Sequence, residues 1–472
     1  MNRSRLGTFA LIVLGMFAVY SCNGSNMTQP VVPGSAPMSF TMTDAPPAGV
    51  TVLSFEVNVT GATLNPGNVD LLSGKRSIEV EVKELETESA FLNTANVAPG
   101  TYTSLNLTFS NPELTFKNDT GATLAGCAAG AVCEIKPAGT LTSTFTFPSP
   151  GIMVAANTPT GIKVDVNLNT LLSPALGVDF SQAGAVTAQQ LAVRRDEDRE
   201  DLEDLDELDD LHGTVQNLDA TNKKFTLHTA NGDFTITTDG NTRFEFESCL
   251  TNNFSCLQNG QVVQVDVAMM AGGVFLAKKI EFEDQLEDDE LQGIVFKVDD
   301  AMHFEMVVLD ELRSVNNVSV GNPIMVTLSS PTFRVGTDGL TVPSGLQSAF
   351  EGAVDTSQLM TGQTVEIRLT GAPSPGPPIT ATANRVRLRM TQFTANVSGA
   401  PVPPNFTVGS LPALFTSAGI TSIQVQTSSA TQFEGVTSVS GLADTNSVSL
   451  RGLLFKNGAN PPVLIARKVR KR

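Results

Sequence analysis

Of the side chains able to do chemistry in this 472-residue sequence, cysteine and histidine are among the scarcest, with five of the first and three of the second. Cys127 and Cys133 bracket Ala-Ala-Gly-Ala-Val, and Cys249 and Cys256 bracket Leu-Thr-Asn-Asn-Phe-Ser. Each pair is close in sequence and sits in a segment of loop character. With Cys22 set aside the count is even, so two local disulfides, Cys127–Cys133 and Cys249–Cys256, are expected in an oxidising compartment. In the chain-entropy picture loops this short contribute only about 2 kcal/mol each, which pins loop shape more than it holds a fold. Zinc is the other use of paired thiols, but neither pair has C-x-x-C spacing and no histidine stands beside them. His212, His228 and His303 belong to no H-E-x-x-H and to no recognisable Ser/His/Asp set. His228 falls out of phase with Phe225 and Leu227 and is expected to face solvent. A G-x-S-x-G elbow, a P-loop and a dinucleotide fingerprint are absent. No catalytic residue, metal ligand or cofactor is assigned, and the chain reads as a non-enzyme. The enzymatic alternative is a carbohydrate-active protein whose carboxylate pair is assembled only by folding.

Charge is concentrated. Asp196 to Asp210 holds eleven acids and one arginine, and Glu281 to Glu290 holds seven acids. Together they carry −17 of the net −18, so the remainder is nearly neutral. Lacking a basic field, the chain is expected to bind no nucleic acid. The acidic runs read as solvated spacers, with a short leucine-spaced helix possible in the first. Calcium is the functional alternative, but the D-x-D-x-D-G loop pattern does not occur. One cationic feature is organised: Arg385, Arg387 and Arg389 alternate with Val386, Leu388 and Met390, which puts three guanidiniums on one face of a strand. They form a candidate anion-binding patch, for a glycan or a lipid surface. The competing reading is a solvated face turned toward the chain's own acidic runs.

The elements that must position these groups begin with a leader. Arg3 and Arg5 precede an apolar run from Leu6 to Tyr20, fifteen residues that suit a signal peptide and are short for a membrane span. Val19-Tyr20-Ser21-Cys22 resembles the lipobox of bacterial lipoproteins. The resemblance implies cleavage before Cys22, lipid attachment to it and an extracytoplasmic place at the cell envelope. An ordinary leader cut nearby would leave Cys22 a spare thiol. Asn23 to Ala36, rich in Gly, Pro, Ser and Asn, reads as a tether.

After His212 one order of signals appears three times, starting at Gly213-Thr214-Val215, Gly293-Ile294-Val295 and Ala395-Asn396-Val397. A Thr-x-Phe follows in the first and third copies (Thr242 to Phe244, Thr431 to Phe433), shortened to Thr332-Phe333 in the second. Then come Leu257 to Val263, Leu359 to Val365 and Leu442 to Val448, with Thr445 standing where the other copies have a turn glycine. Last come Ala277 to Ile280, Ala383 to Val386 and Ala466 to Val469. Asn231-Gly232 between alternating stretches signals a hairpin. Each copy offers five or six strands, enough to close a small barrel. From about Leu211 to Arg472 the chain resembles a family of bacterial extracytoplasmic repeats catalogued only as a domain of unknown function. That resemblance implies tandem OB-like barrels and transfers no active site.

The first half alternates at Val50 to Val59, Ile78 to Val82, Leu105 to Phe109 and Ile162 to Leu168, which suggests a β-sandwich. Its Thr43-Asp44-Ala45-Pro46 and Pro99-Gly100-Thr101-Tyr102 resemble a second uncharacterised bacterial lipoprotein domain. The expected organisation is all-β: leader 1–22, tether 23–36, sandwich 37–184, acidic linker 185–211, barrel repeat 212–283, acidic linker 284–292, then barrel repeats 293–392 and 393–472. Such a chain is expected to act as a binding or structural module. Its expected partners are the membrane, through lipid, and a glycan or another envelope protein.

Overall fold

The computed structural model describes residues 36–45, 50–74, 77–86, 90–156, 160–192, 208–229, 232–246, 249, 251–270, 274–282, 290–310, 315–337 and 340–472. Cys22, the leader and almost all of the tether lie outside the described residues. The protein is nearly all β, as the patterning predicts.

The N-terminal domain is two main sheets, with two small two-stranded ribbons beside them, over one apolar core. The smaller runs Val186–Ala192, Thr160–Asn167, Ala36–Ala45, Ala90–Val97, with Ala36–Ala45 parallel to Thr160–Asn167. The larger is built on the antiparallel pair Thr51–Asn65 and Ser104–Lys117. Phe55, Val57 and Val59 from one strand and Leu105, Leu107 and Phe109 from the other are buried, while the residues between them are more exposed. That period of two lets one face meet the core. The strand Val186–Ala192 extends this domain into the stretch read as the start of a linker.

Three five-stranded barrels follow, all wound the same way. In barrel 1 the strands in chain order are Leu208–Asp219, Lys224–Thr229, Gly232–Thr237, Val262–Met270 and Val274–Phe282. The first pairs with the second and fourth, the second with the third, and the fourth with the fifth. A parallel pairing of third to fifth closes the ring, and the short strand Arg243–Glu245 also pairs parallel with the fifth. Barrel 2 repeats this with Glu290–Val298, His303–Asp310, Pro323–Val335, Thr364–Leu369 and Ile379–Val397. Barrel 3 has no first strand of its own. It uses the second half of Ile379–Val397, then Asn405–Gly409, Ile423–Gln426, Ser447–Asn457 and Asn460–Lys471. The expected division at 392/393 therefore falls inside one continuous strand.

The repeated motifs have physical roles. Thr242 Oγ1 donates to the Ala277 carbonyl at 2.7 Å, and Thr431 Oγ1 donates to Ala466 at 2.7 Å. These bonds tie the Thr-x-Phe segment to the fifth strand. In the shortened second copy Thr332 reaches Asn384 instead, at 3.4 Å. The turn into the fourth strand has Gly260 at φ 89°, Gly362 at φ 90° and Thr445 at φ 68°, a conformation glycine adopts without steric cost. The next side chain stabilises each turn: the Gln258 N–H donates to Gln261 Oε1 (2.7 Å), Met360 N–H to Gln363 Oε1 (2.7 Å) and Ala443 N–H to Asn446 Oδ1 (2.9 Å).

The ends of the acidic runs are not spacers. Leu208 to Asp210 begin the first strand of barrel 1, and Glu290 begins that of barrel 2 and is buried. Glu290 tolerates burial because it ion-pairs with Arg385. The interiors of both runs lie outside the described residues.

Candidate functional site

A cleft of about 1570 Å³ opens where the sandwich meets barrels 2 and 3. Its sandwich wall is the strand Val132–Ile135 with the turn before it, Gly130 and Ala131. Buried Asn118 holds this wall. Its Nδ2 donates to the carbonyls of Ala122 (2.7 Å) and Cys127 (2.8 Å), and its Oδ1 accepts from Thr120. Cys127 and Cys133 are disulfide-bonded with Cα atoms 5.8 Å apart, which joins that hairpin to the wall strand. Barrel 2 contributes Phe296, Lys297, Glu305 and Ile324, and barrel 3 contributes Ser417 to Ser422 and the hairpin tip around Gly458. Beside the cleft an apolar seam of Leu53, Ile294, Phe296, Val307, Leu309 and Leu414, with Val132 against it, joins sandwich to barrels. Thr115 Oγ1 adds a buried bond to the Gly321 carbonyl at 2.6 Å.

The charges lining the cleft are mostly matched. Lys297 and Glu305 face each other across adjacent strands and pair at 2.7 Å, with Asp299 at 2.5 Å. The hydrogen bonds to Asp299 and Glu305 push the Lys297 ammonium above the usual lysine range. Lys117 pairs with Asp119 at 3.0 Å. Glu134 accepts from Asn322 Nδ2 at 2.7 Å, and partial burial raises its carboxyl above the ordinary range. Lys456 Nζ donates to the Ser357 carbonyl at 2.9 Å and forms no ion pair among the described residues, with Asp355 as an electrostatic neighbour. Next to Glu134, on the same sheet, stands a row of carboxylates. Glu56 lies opposite Glu81 and Glu113, and burial, followed by repulsion from Glu79, Glu81, Glu113 and Glu134, pushes its pKa up to about 8. Among the described residues no three His, Cys, Asp or Glu side chains are placed to hold a metal ion.

The residues singled out by sequence lie elsewhere, apart from Cys133. Cys249 and Cys256 are bonded in barrel 1, Cα atoms 5.9 Å apart, far along the chain from the cleft wall. Arg385, Arg387 and Arg389 do share one face of Ile379–Val397, but the face is covered. Glu366, itself buried, sits 3.6 Å from Arg385, 3.9 Å from Arg387 and 3.9 Å from Arg389, and Glu290 also pairs with Arg385. Arg389 donates to Gln264 Oε1 of barrel 1 at 2.9 Å. An external anion at this patch would have to displace Glu366. His228 is exposed beside Asp233 and His303 half-buried beside Asp300, on different barrels, and neither lines the cleft. The side chain of His212 is outside the described residues. Sequence reasoning missed the cleft entirely. Its lining comes from three domains, and the signals that could have pointed there are the proline runs Pro375-Gly376-Pro377-Pro378 and Pro461-Pro462.

Among the described residues no helix is long and apolar enough to cross a membrane. Nor is any described aromatic ring exposed: every Phe and Tyr there is buried or half-buried. Sugar-binding and base-binding surfaces commonly use open rings for stacking.

Residues 212–281, within barrel 1, match the family described as domain of unknown function DUF5666. No curated protein matches the sequence. Among solved structures the chain is similar to one described as drosophila Unr CSD456, at 11% identity over 55% of this chain and 96% of that one, TM-score 0.12. It is also similar to a multidomain protein with nucleic acid binding domains from Streptococcus pneumoniae TIGR4, at 11% identity over 54% of this chain and 71% of that one, TM-score 0.11. At these scores the likeness says nothing of what this chain binds. With a protein of that description among its neighbours, however, the exclusion of nucleic acid drawn from charge is withdrawn. A net charge averages the whole molecule, whereas a small barrel meets a single strand with one local face. What the matches establish by sequence is that residues 212–281 are similar to DUF5666.

Proposed function

We propose that the protein is a non-catalytic binding module of the bacterial cell envelope, anchored through lipid on Cys22, and that its ligand seat is the cleft between the sandwich and barrels 2 and 3. The cleft carries the reading. Ligand sites favour domain junctions, with apolar walls and a few convergent polar groups, and this cleft joins Phe296, Ile324 and Leu359 with Glu134, Lys297 and Lys456. A carbohydrate-active enzyme would need two free carboxylates astride a bond. The two that line the cleft are Glu134, bonded to Asn322, and Glu305, paired with Lys297. The test uses the soluble chain from Asn23 and a cleft-blocked form, Thr421→Trp, on an array of glycans, polyanions, single-stranded nucleic acids and peptides. Thr421 is exposed and lines the cleft, so the change should leave melting nearly unchanged. A ligand held by the parent should be lost from the variant; one held equally by both removes the cleft as its seat. The anchor has its own test. Cys22→Ala should move the protein from the membrane fraction to the soluble one, and unchanged partition would reject lipidation.

A further inference from the structure

The cleft wall is a sheet edge. Val132–Ile135 pairs with Ser104–Lys117 on one side, and no strand pairs with its other side among the described residues. Its hydrogen-bond phase follows from the turn before it. The Asn118 N–H donates to the Ala131 carbonyl (2.9 Å), and the Gly130 N–H donates to the Asn118 carbonyl (2.7 Å). In an antiparallel ladder bonded and non-bonded pairs alternate. With Phe116 opposite Cys133 and Leu114 opposite Ile135, those pairs are bonded, and the N–H and C=O of Val132 and Glu134 turn outward. No described loop or side chain bonds these outward backbone groups. Both residues line the cleft.

We infer that, if the cleft is the ligand seat proposed above, its ligand is an extended polypeptide segment that adds as a strand to Val132–Ile135, with an acidic side chain meeting Lys456. Three observations favour this occupant. The outward amide groups of Val132 and Glu134 supply main-chain donors and acceptors at strand spacing, the means by which β-augmentation gains affinity. At about 1570 Å³ the cleft exceeds the roughly 300–1000 Å³ of pockets for small molecules, which suits a chain several residues long. Lys456 lines the cleft and forms no ion pair among the described residues, with Asp355 interacting with it only electrostatically, so an acidic side chain would complement its ammonium. That no aromatic ring is exposed among the described residues weighs against a glycan held by stacking. The disulfide Cys127–Cys133 then has a role, because it sets the wall strand in place before the ligand arrives.

A random dodecapeptide library displayed on phage, panned on the soluble chain from Asn23 and counter-selected on Thr421→Trp, supplies the probe. Enriched sequences are made as synthetic peptides, each in two further forms N-methylated at odd or at even positions. Strand addition uses the amides on one edge of the peptide only, so one form should lose affinity at least about tenfold and the other stay within about twofold. On the protein side Glu134→Pro removes one outward donor, at an edge position where proline is tolerated, and should weaken binding about tenfold beyond whatever Glu134→Gln, which keeps the backbone N–H, costs. Lys456→Gln should weaken binding and flatten its salt dependence. Equal affinity of the two N-methylated forms overturns strand addition but leaves the cleft as the seat, provided Thr421→Trp still abolishes binding. Peptides that bind Thr421→Trp as well as the parent overturn both. No enrichment over Thr421→Trp, or a glycan or nucleic acid as the ligand that Thr421→Trp displaces, overturns the polypeptide occupant.

Discussion

Barrels 1 and 2 have the same winding, the same turn into the fourth strand and the same glutamine over that turn, yet they sit in the molecule differently. The apolar core of barrel 1 is made wholly of its own residues, from Val215 to Ile280. That of barrel 2 includes Leu453, Phe455, Val463 and Ile465 of barrel 3, and the seam beside it includes Leu53 of the sandwich. The turns show the contrast at atomic scale. A Cβ added at Gly260 of barrel 1 would meet nothing within 4 Å; one added at Gly362 of barrel 2 would lie 2.1 Å from the Phe415 ring of barrel 3. Gln261 Nε2 donates to the Cys256 carbonyl of its own barrel at 3.3 Å, whereas Gln363 Nε2 donates across to the Leu454 carbonyl at 2.9 Å. One turn is a surface feature and the other an interface. The same sequence signal can thus mark a replaceable module and a part of a shared core.

The contrast predicts two unfolding units, barrel 1 alone and the sandwich with barrels 2 and 3 together, visible as two calorimetric transitions. The largest expected effect is Gly362→Ala, which combines left-handed strain with a clash against Phe415. It should destabilise the larger unit by about 3–5 kcal/mol, against about 1–2 kcal/mol for Gly260→Ala in barrel 1. Equal losses at the two glycines would erase the distinction.

Next comes Glu366→Gln. Gln264 and Glu366 hold the same place in their barrels, opposite His212 and Gln292 on the first strands, and both are buried. Glu366 faces three guanidiniums, and its neutralisation leaves their charge poorly compensated at a cost of about 3 kcal/mol. Gln264→Leu removes one bond to Arg389, and its effect, about 1 kcal/mol, should fall on the junction between the units. Chemical denaturation of both variants checks the ratio.

A smaller effect separates the units by pH. The Glu56 carboxyl is raised from 4.5 to about 8 in the folded protein, so the folded state holds its proton where the unfolded chain has lost it. The stabilisation is complete below the unfolded value and disappears as pH rises through about 8. Glu81 and Glu134 are raised for the same first reason, burial, and act in the same direction. The larger unit should therefore melt lower at pH 8 than at pH 5.5. Glu56→Gln should recover on the order of 1 kcal/mol at pH 8, allowing for solvent screening, and leave the barrel 1 transition in place. A pH 8 transition that Glu56→Gln does not move would contradict the assignment.

The smallest expected change is a gain. Thr445 holds the glycine position of barrel 3 at φ 68°, so Thr445→Gly should stabilise by up to about 1 kcal/mol, read as a small rise in melting temperature. A loss there would show that the threonine makes contacts that outweigh the strain.

Much of the fold was legible because its causes are local. Alternation at Phe225, Leu227, Phe234 and Ile236 requires a hairpin, and the turn between Leu257 and Val263 requires a residue able to take positive φ. The three arginines were correctly placed on one face, since alternation is geometry. That Glu366 and Glu290 cover the face was not legible, because Glu290 is 95 residues from Arg385 and reads as part of an acidic run. The 392/393 division failed to anticipate a shared strand because Arg389, Thr391 and Phe393 continue one alternation with no turn residue between them. Nucleic acid was set aside on net charge, a quantity with no location, and that step does not stand.

By itself the sequence determined the strands, their turns, the threefold repetition and the two short cysteine loops. Each rests on residues within a few positions of one another, where backbone preference and side-chain period act directly. Only the tertiary structure decided which repeats share a core, which charges are spent on each other and where a sheet edge meets a cleft. Those depend on residues brought together from distant parts of the chain, Thr115 against Gly321 and Gln264 against Arg389 among them. No local pattern records that a strand in the sandwich will lie open beside two barrels formed more than 150 residues later.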